Sequence, residues 1–586
     1  MADKTTLVHV THEAVGKVGG IGAVLAGLFT SRCYGDAVGR SILVSPMFTH
    51  DLPVEQRLGP NGRVLYCREN GTAATHHSQS LRKVEELYNA PLVYGRVRFV
   101  NEQTGVETTP EVLLVDVRNV EKAPVDFLKR RLYEQFGIRS DRYEHLWEYE
   151  QYVRLAAPAL GALEAIGAVG DSTTFVAHEF MGLPTTLAAM VEPGRRCKTA
   201  FYAHEVATIR RIVENHPGHD TMFYNVLNSA AGSGFYVDDL FGRQDDFFKH
   251  TLVRAASHCD TIYAVGNQVV DELKLLDPQF AAADINVVYN GVPAYQIKVE
   301  DKIGAKAKLQ LYCQRLLGFW PEVVFTHVTR LIVSKGLWRD LAVLDELEKY
   351  FRSDGRSGVF FLLSTQVARR SAGDIESMES AYGWPVAHRE NWPDLSGGEA
   401  ELYTLIQRFN SRSRNIKVVF INQFFDGDNC GRAMPKNLGF MDFRIGTDVE
   451  FGQSIYEPFG ISQFEPLSFG GICVVSSVCG CLGFLRDITA GRDVDNVIVA
   501  DYTDLGDEAP ADLYQLLQID RTVRDRIEAD RAGKLARQIM TRLPKSNLQI
   551  DRLIQSGYWL ARQMSWDRVV GDYLLPALPT ASMSVG

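Results

Sequence analysis

No uninterrupted apolar run in the 586 residues approaches the roughly 20 that a membrane-spanning helix needs, so no membrane span is expected. The start, Met1-Ala-Asp-Lys-Thr-Thr, leads directly into a strand-like run and lacks signal-peptide character. A cytoplasmic location is the resulting expectation. Positive charge is in deficit: 62 Lys and Arg against 72 Asp and Glu leave a net charge of −10, which argues against a broad nucleic-acid surface. A locally positive cleft for phosphates is compatible with that balance, because net charge does not describe one site. Cysteine is sparse and odd in number, nine in all, and several lie in apolar segments as reduced, buried thiols do. Cys479-Gly-Cys481 has no second pair at metal-ligand spacing, and no Asp-x-Asp element stands out. Neither metal nor cofactor is expected. No internal repeat of 20–50 residues is visible, which excludes a solenoid or propeller.

What is present is ordinary for a soluble globular chain, 46% hydrophobic and 23% charged, and too long for one core, so two large domains are expected. Short apolar runs recur, each followed by a turn and a helix-like segment. They begin at Leu7, Ser41, Thr174, Thr199, Thr261, Ile285, Val323, Val359, Lys417, Gly471 and Val497. Continuous rather than alternating runs suit parallel strands buried on both faces, and strands alternating with helices imply an α/β architecture with ligands at the carboxyl ends of the strands. The turn Asn290-Gly291 and the charged stretch Lys298–Lys308 mark the boundary. The first domain is placed at 1–300 with six or seven strands, and the second at 315–565. Residues 366–415 are polar and too long for a simple connection, which predicts an elaboration with its own helices. The mixed charges of Arg521–Arg537 read as a solvated helix face.

Four elements carry chemistry. In Ser454-Ile-Tyr-Glu457-Pro-Phe-Gly-Ile-Ser-Gln-Phe-Glu465, a helix opening at Gly460 would place Glu457 at its entrance and Glu465 two turns inside on roughly the same face. In Glu13-Ala-Val-Gly-Lys17-Val-Gly19-Gly20, a strand runs into a glycine-rich turn and a helix, where backbone N–H groups can approach a pyrophosphate and Lys17 adds a charge. Glu13 could equally cap that turn. Arg330 and Lys335 follow a buried strand at its carboxyl end, the place for a diphosphate. His204 ends the apolar run from Thr199, where a buried structural histidine is the alternative.

These elements resemble, in order, those of glycogen and starch synthases, which are retaining glycosyltransferases. Lys17-Val-Gly-Gly looks like their Lys-x-Gly-Gly signature, and Glu457 to Glu465 like their Glu-x7-Glu element. His178-Glu179-Phe-Met-Gly is similar to the acid-containing loop of their first domain, and Phe201-Tyr-Ala-His204 to the segment placing a histidine beside the donor glucose. Arg330-Leu-Ile-Val-Ser-Lys335-Gly resembles the phosphate clamp, at the bacterial spacing, and Gln563-Met-Ser-Trp566-Asp the carboxy-terminal element. Their Thr-Gly-Gly-like turn is replaced by Val478-Cys-Gly480-Cys, in which only Gly480 keeps its match.

The resemblance implies a GT-B architecture: two Rossmann-like α/β domains facing a cleft, with a last helix, 566–586, crossing back to the first domain. It implies a metal-independent retaining glucosyltransferase that moves glucose from UDP-glucose or ADP-glucose to the non-reducing end of an α-1,4-glucan, and it allows a homo-oligomer. His204, Glu457, Arg330 and Lys335 would be catalytic; Glu13, Lys17, Gly19, Gly20, Glu179, Glu465 and Gly480 would hold substrate or nucleotide. The alternatives are a related glycosyltransferase or retaining phosphorylase with a small sugar or glycerate-type acceptor, and a catalytically silent glucan- or nucleotide-binding protein.

Overall fold

A computed structural model describes residues 5–15, 19–366, 377, 380–381, 395–422, 433–506, 510 and 512–579. The chain divides into two compact units. Unit 1 comprises Met1–Ile209, Ala230–Gly291 and Trp566–Gly586; unit 2 comprises Arg210–Ser229 and Val292–Ser565.

Unit 1 is built on β1 (Thr5–Val10), β2 (Val38–Pro46), β3 (Gly62–Cys67), β4 (Thr72–Ala73), β5 (Leu92–Val97), β6 (Phe99–Val100), β7 (Glu107–Thr108), β8 (Glu111–Val115), β9 (Thr173–His178), β10 (Lys198–Ala203), β11 (Thr261–Ala264) and β12 (Ile285–Val287). Ten of these form one sheet in the order β12-β11-β10-β9-β1-β2-β8-β5-β3-β4, and β6 and β7 pair separately. From β12 to β8 every pairing is parallel, and β5, β3 and β4 add an antiparallel edge. The expected six or seven strands match this parallel part; the antiparallel edge is an addition. The strand order reverses at β1, between β2 and β9, which opens a crevice at their carboxyl ends. The last segment is anchored to unit 1 by Trp566, whose ring lies so close to Gly27 and Gly291 that an added Cβ would meet it at 2.1 and 2.5 Å. Asp567 accepts hydrogen bonds from Ser31 Oγ (2.7 Å) and the Arg32 N–H (2.8 Å).

Unit 2 carries β13 (Val323–Val328), β14 (Gly358–Leu363), β15 (Ile416–Ile421), β16 (Val449–Gly452), β17 (Ile472–Ser476) and β18 (Val497–Ala500). Their order is β15-β14-β13-β16-β17-β18, all parallel. Counted within the unit this is 3-2-1-4-5-6, the order of dinucleotide-binding α/β sheets, with the switch point between β13 and β16. Alternate residues feed two cores, one on each face. Phe325, Phe360 and Phe451 pack on one side, and Val324, Val359 and Phe361 on the other. The chain is thus a two-unit α/β protein with parallel-rich sheets.

Residues 210–229 join unit 2 through buried polar contacts. Asp220 takes Arg339 through two hydrogen bonds (2.6 and 2.9 Å), and Arg339 also meets Glu528 at 2.8 Å. Arg339 stacks 3.8 Å from the Tyr502 ring. The helix Arg521–Arg542 is solvated over most of its length, as its mixed charges predict, but Arg524 and Glu528 are buried. Of the expected elaboration at 366–415, the helix Gly397–Arg412 is described; 367–376, 378–379 and 382–394 lie outside the described residues.

Candidate active-site clusters

Each unit gathers candidate side chains at the carboxyl edge beside its switch point. In unit 1 they stand on β1, β9 and β10. Glu13, just past β1, is buried, and its Oε2 accepts the N–H groups of Gly19 (2.9 Å) and Gly22 (2.8 Å) at the start of the helix Gly20–Phe29. The carboxylate therefore occupies the place where a helix N-terminus favours an anion. The capping reading of Glu13 describes this arrangement, and the Gly19 N–H expected to meet a pyrophosphate is already engaged. Gly20 is the exposed first residue of the helix; Lys17 lies outside the described residues.

Glu179 follows β9 with φ +61°, a left-handed conformation rare for a residue with a side chain and typical of functional positions. The turn directs its carboxylate to the loop after β10, where Oε1 accepts the backbone N–H groups of His204 and Glu205, the latter at 2.7 Å. Glu179 thus fixes the main chain of His204.

The His204 side chain belongs to a chain of imidazoles absent from the sequence expectations. Its Nε2 lies 2.9 Å from His178 Nδ1, and His178 Nε2 lies 2.9 Å from His9 Nδ1. His9 Nε2 is 3.0 Å from Tyr34 Oη, which is 2.9 Å from Ser41 Oγ. Burial lowers His9 and His204 to about 3, and it also lowers His178 well below the usual imidazole value, aided by repulsion from its two histidine neighbours. All three are neutral near pH 7, so each link holds one proton and the tautomers are coupled. When His204 Nδ1 carries a proton, His178 Nδ1, His9 Nδ1, Tyr34 and Ser41 each donate along the chain; when His204 Nδ1 is bare, every link reverses. The signal in the sequence was a histidine at or near the carboxyl end of three apolar runs.

In unit 2 the loops after β13 and β16 meet. Ser334 O accepts the Ile455 N–H at 2.8 Å, and Ser334 Oγ donates to Glu214. Gly336 adopts φ +60° with Gln453 O only 2.6 Å from where a Cβ would stand, so this contact requires glycine. There Lys335 forms an ion pair with Glu457, whose Oε2 also accepts from Gln463 Nε2 at 3.1 Å. Beneath the pair, Gln453 donates to Asp340 at 2.8 Å, and Asp340 meets His327 at 2.7 Å. Arg330 is exposed, and its guanidinium has no partner among the described residues. Gly480, past β17, donates its N–H to Glu457 O at 3.0 Å, and a Cβ there would lie 1.7 Å from Pro458 O.

Glu465 departs from expectation. The helix after Gly460 is a single α turn, Ile461–Phe464, followed by the 3-10 turn Glu465–Phe469, because Pro466 cannot continue an α-helix. Glu465 therefore stands one turn in, not two, and pairs with Arg444 at 3.1 Å. Arg444 is fully buried and also holds Glu450 at 3.0 Å. The structure brings Lys335, Glu457 and Gly480 together and ties Glu465 to a different cation. Among the described residues, no group of three or more His, Cys, Asp or Glu is placed to hold a metal ion, and no helix is long and apolar enough to cross a membrane.

No protein-family model and no curated protein matches the chain. Solved structures similar to it include the catalytic domain of starch synthase IV from Arabidopsis thaliana bound to ADP and acarbose, at 15% identity and TM-score 0.46, covering 95% of this chain and 100% of that one. A sucrose-phosphate synthase from Thermosynechococcus elongatus is similar at 11% identity and TM-score 0.49, over 97% and 96% of the two chains. An α,α-trehalose-phosphate synthase (UDP-forming) from Burkholderia xenovorans, in complex with glucose-6-phosphate, is similar at 10% identity and TM-score 0.47, over 96% and 98%. Likenesses of this strength assign neither family nor substrate.

Proposed function

We propose that the chain is a retaining, nucleotide-sugar-dependent glucosyltransferase of glycogen-synthase type. Its substrates in this reading are UDP-glucose or ADP-glucose and the non-reducing end of an α-1,4-glucan. The observation that carries the proposal is the pair of cations at the switch point of unit 2, with Arg330 free of partners among the described residues and Lys335 held only through Glu457. A sheet of order 3-2-1-4-5-6 binds its ligand at that edge, and a departing nucleoside diphosphate needs preorganised positive charge there. Lys335 exchanging Glu457 for phosphate would free the carboxylate for sugar hydroxyls, which couples donor binding to the group that orients the sugar. The order of motifs along the sequence supports the same reading.

In this proposal the cations replace a metal, His204 contacts the glucose, and Glu179 positions His204 without touching substrate. Glu465 would hold the ribose only with Arg444 still bound to it. A cytoplasmic location and a homo-oligomer belong to the proposal. The second reading is a transferase or retaining phosphorylase with a small sugar or glycerate-type acceptor, since the same clamp would serve it. Glucose incorporation into glycogen against a panel of small acceptors, with each donor, separates the two. Transfer to none of them, with the donor bound, would leave a silent binding protein and defeat the proposal.

A further inference from the structure

Unit 1 buries a row of polar rings that the proposed reaction uses only at its outer end. Along β1, β9 and β10 the register sets His9 opposite Val176 and His178 opposite Tyr202. His178 lies two residues beyond Val176 and His204 two beyond Tyr202, so the three imidazoles share one face of the sheet and step toward its carboxyl edge. That stepping brings ring to ring, with 2.9 Å from His9 Nδ1 to His178 Nε2 and 2.9 Å from His178 Nδ1 to His204 Nε2. Packing fixes the ring planes: Phe29 stands edge-on to His9 at 5.3 Å, and Tyr202 stacks on His204 at 4.4 Å. The inner end closes on Tyr34 Oη, 3.0 Å from His9 Nε2 and 2.9 Å from Ser41 Oγ. At the outer end His204 is partly exposed, and its Nδ1 has no partner among the described residues.

With one proton on each imidazole, only two arrangements satisfy every link, and they differ at Tyr34. In the first, Tyr34 donates to His9 Nε2 and Ser41 donates to Tyr34; in the second, His9 donates to Tyr34 and Tyr34 donates to Ser41. The first joins the strongest donor of the row, a phenol O–H, to its strongest acceptor, a neutral imidazole nitrogen. The second directs the phenol proton to an aliphatic hydroxyl instead. Away from water, that difference is felt along the whole row. We infer that Tyr34 sets the tautomer of all three imidazoles and so holds His204 with its proton on Nδ1, as an N–H donor at the outer end of the row. Tyr34, His9 and His178 are then positioning residues, each acting through His204. Where His204 contacts the glucose, that N–H selects an oxygen that accepts, and the nitrogen does not serve as a base. This last consequence rests on the transferase reading; the tautomer does not.

The test is solid-state 15N NMR of the full chain labelled at its 14 histidines, at pH 7, where protonated and bare ring nitrogens resonate far apart. His9→Gln, His178→Gln and His204→Gln assign the three rings. The parent should show Nδ1 protonated and Nε2 bare in all three, the tautomer that free histidine disfavours. Tyr34→Phe keeps the ring but removes the donor, and His204 should move to the Nε2–H form or to a mixture of the two. Ser41→Ala should leave Nδ1–H in place, because Tyr34 still donates inward; in the opposite arrangement it would remove the acceptor of Tyr34. Nε2–H in the parent, a His204 tautomer unmoved by Tyr34→Phe, or one reversed by Ser41→Ala would overturn the inference. Should Tyr34→Phe fold poorly, the parent spectrum and Ser41→Ala decide alone. With nucleotide-sugar and glucan, Tyr34→Phe should lower kcat/KM about fivefold to tenfold, the loss of one hydrogen bond. An unchanged kcat/KM beside a changed tautomer would deny Tyr34 its positioning role. The spectra read the tautomer whether or not the chain transfers glucose, so failure of the transferase proposal would not disturb it.

Discussion

The two carboxyl edges are built from the same architecture and finished with opposite electrostatics. At the edge of unit 1, three neutral imidazoles are wired into a buried chain, and Glu13 and Glu179 are occupied with backbone N–H groups. At the edge of unit 2, acidic and basic side chains face one another: Lys335 faces Glu457, Arg339 faces Asp220 and Glu528, and Arg330 is open to solvent. A parallel sheet fixes where ligands approach. What can be bound there depends on whether the loop residues are consumed by the protein or left for a ligand.

The sharpest way to break the contrast is through Arg339. Arg339→Ala would strand Asp220 in a fully buried place, a loss of about 3–5 kcal/mol. Hydrogen exchange followed by peptide should show protection falling in residues 210–229 and around Glu528, with the β1, β9 and β10 peptides of unit 1 unchanged. Arg339→Lys should not rescue it, because a single ammonium cannot reproduce the fork. Next in size are Arg330→Ala and Lys335→Ala, each expected to lower turnover by about a hundredfold or more if they stabilise a leaving diphosphate. The two differ in stability: Arg330→Ala should melt like the parent, whereas Lys335→Ala leaves Glu457 without its cation and should melt lower.

In unit 1, Glu179→Ala leaves two part-buried N–H groups without their acceptor, a loss of about 1 kcal/mol each, whereas Glu179→Gln keeps an acceptor and should lose much less. Urea unfolding compares the pair. The last effect is one of pH. His9 is 2% exposed and lowered to about 3 by burial, so the unfolded chain binds its proton first as pH falls. Its contribution to stability is complete above about pH 6.5 and is lost as pH drops toward 3, with a slope of roughly 1.4 kcal/mol per pH unit. His9→Gln should reduce the acid slope of the unfolding free energy, from urea titrations at each pH, by about that amount; an unchanged slope would mean that His9 is not held neutral.

The legibility of the chain follows the same divide. Each of the eleven apolar runs falls on a strand, because strands buried on both faces are written as continuous hydrophobic residues. The strands outside those runs include Glu111–Val115, itself a continuous buried apolar segment, and others that their chemistry hides. Gly62–Cys67 and Leu92–Val97 lie in an antiparallel edge and carry Arg63 and Arg96, and Val449–Gly452 is four residues long with a fully buried Glu450 in it. That glutamate is satisfied by Arg444, on the helix Phe440–Gly446, and by hydrogen bonds from Thr326 Oγ1 and the Val328 N–H on the neighbouring strand. The same holds for the sites. Lys335 and Glu457 could be named from their motifs, but their ion pair could not, since it depends on two loops meeting at a switch point. His9 and Tyr34 were invisible as partners of His204 because the chain joining them runs across strands 169 residues apart in sequence.

Calorimetric titration of UDP and ADP into Arg330→Ala and His204→Ala tests the central contrast most directly. The account predicts that one nucleotide binds the parent chain, that Arg330→Ala loses at least about tenfold in affinity, and that His204→Ala keeps it. Nucleotide binding that survives Arg330→Ala and fails in His204→Ala would place the anion site on the neutral edge and contradict the account.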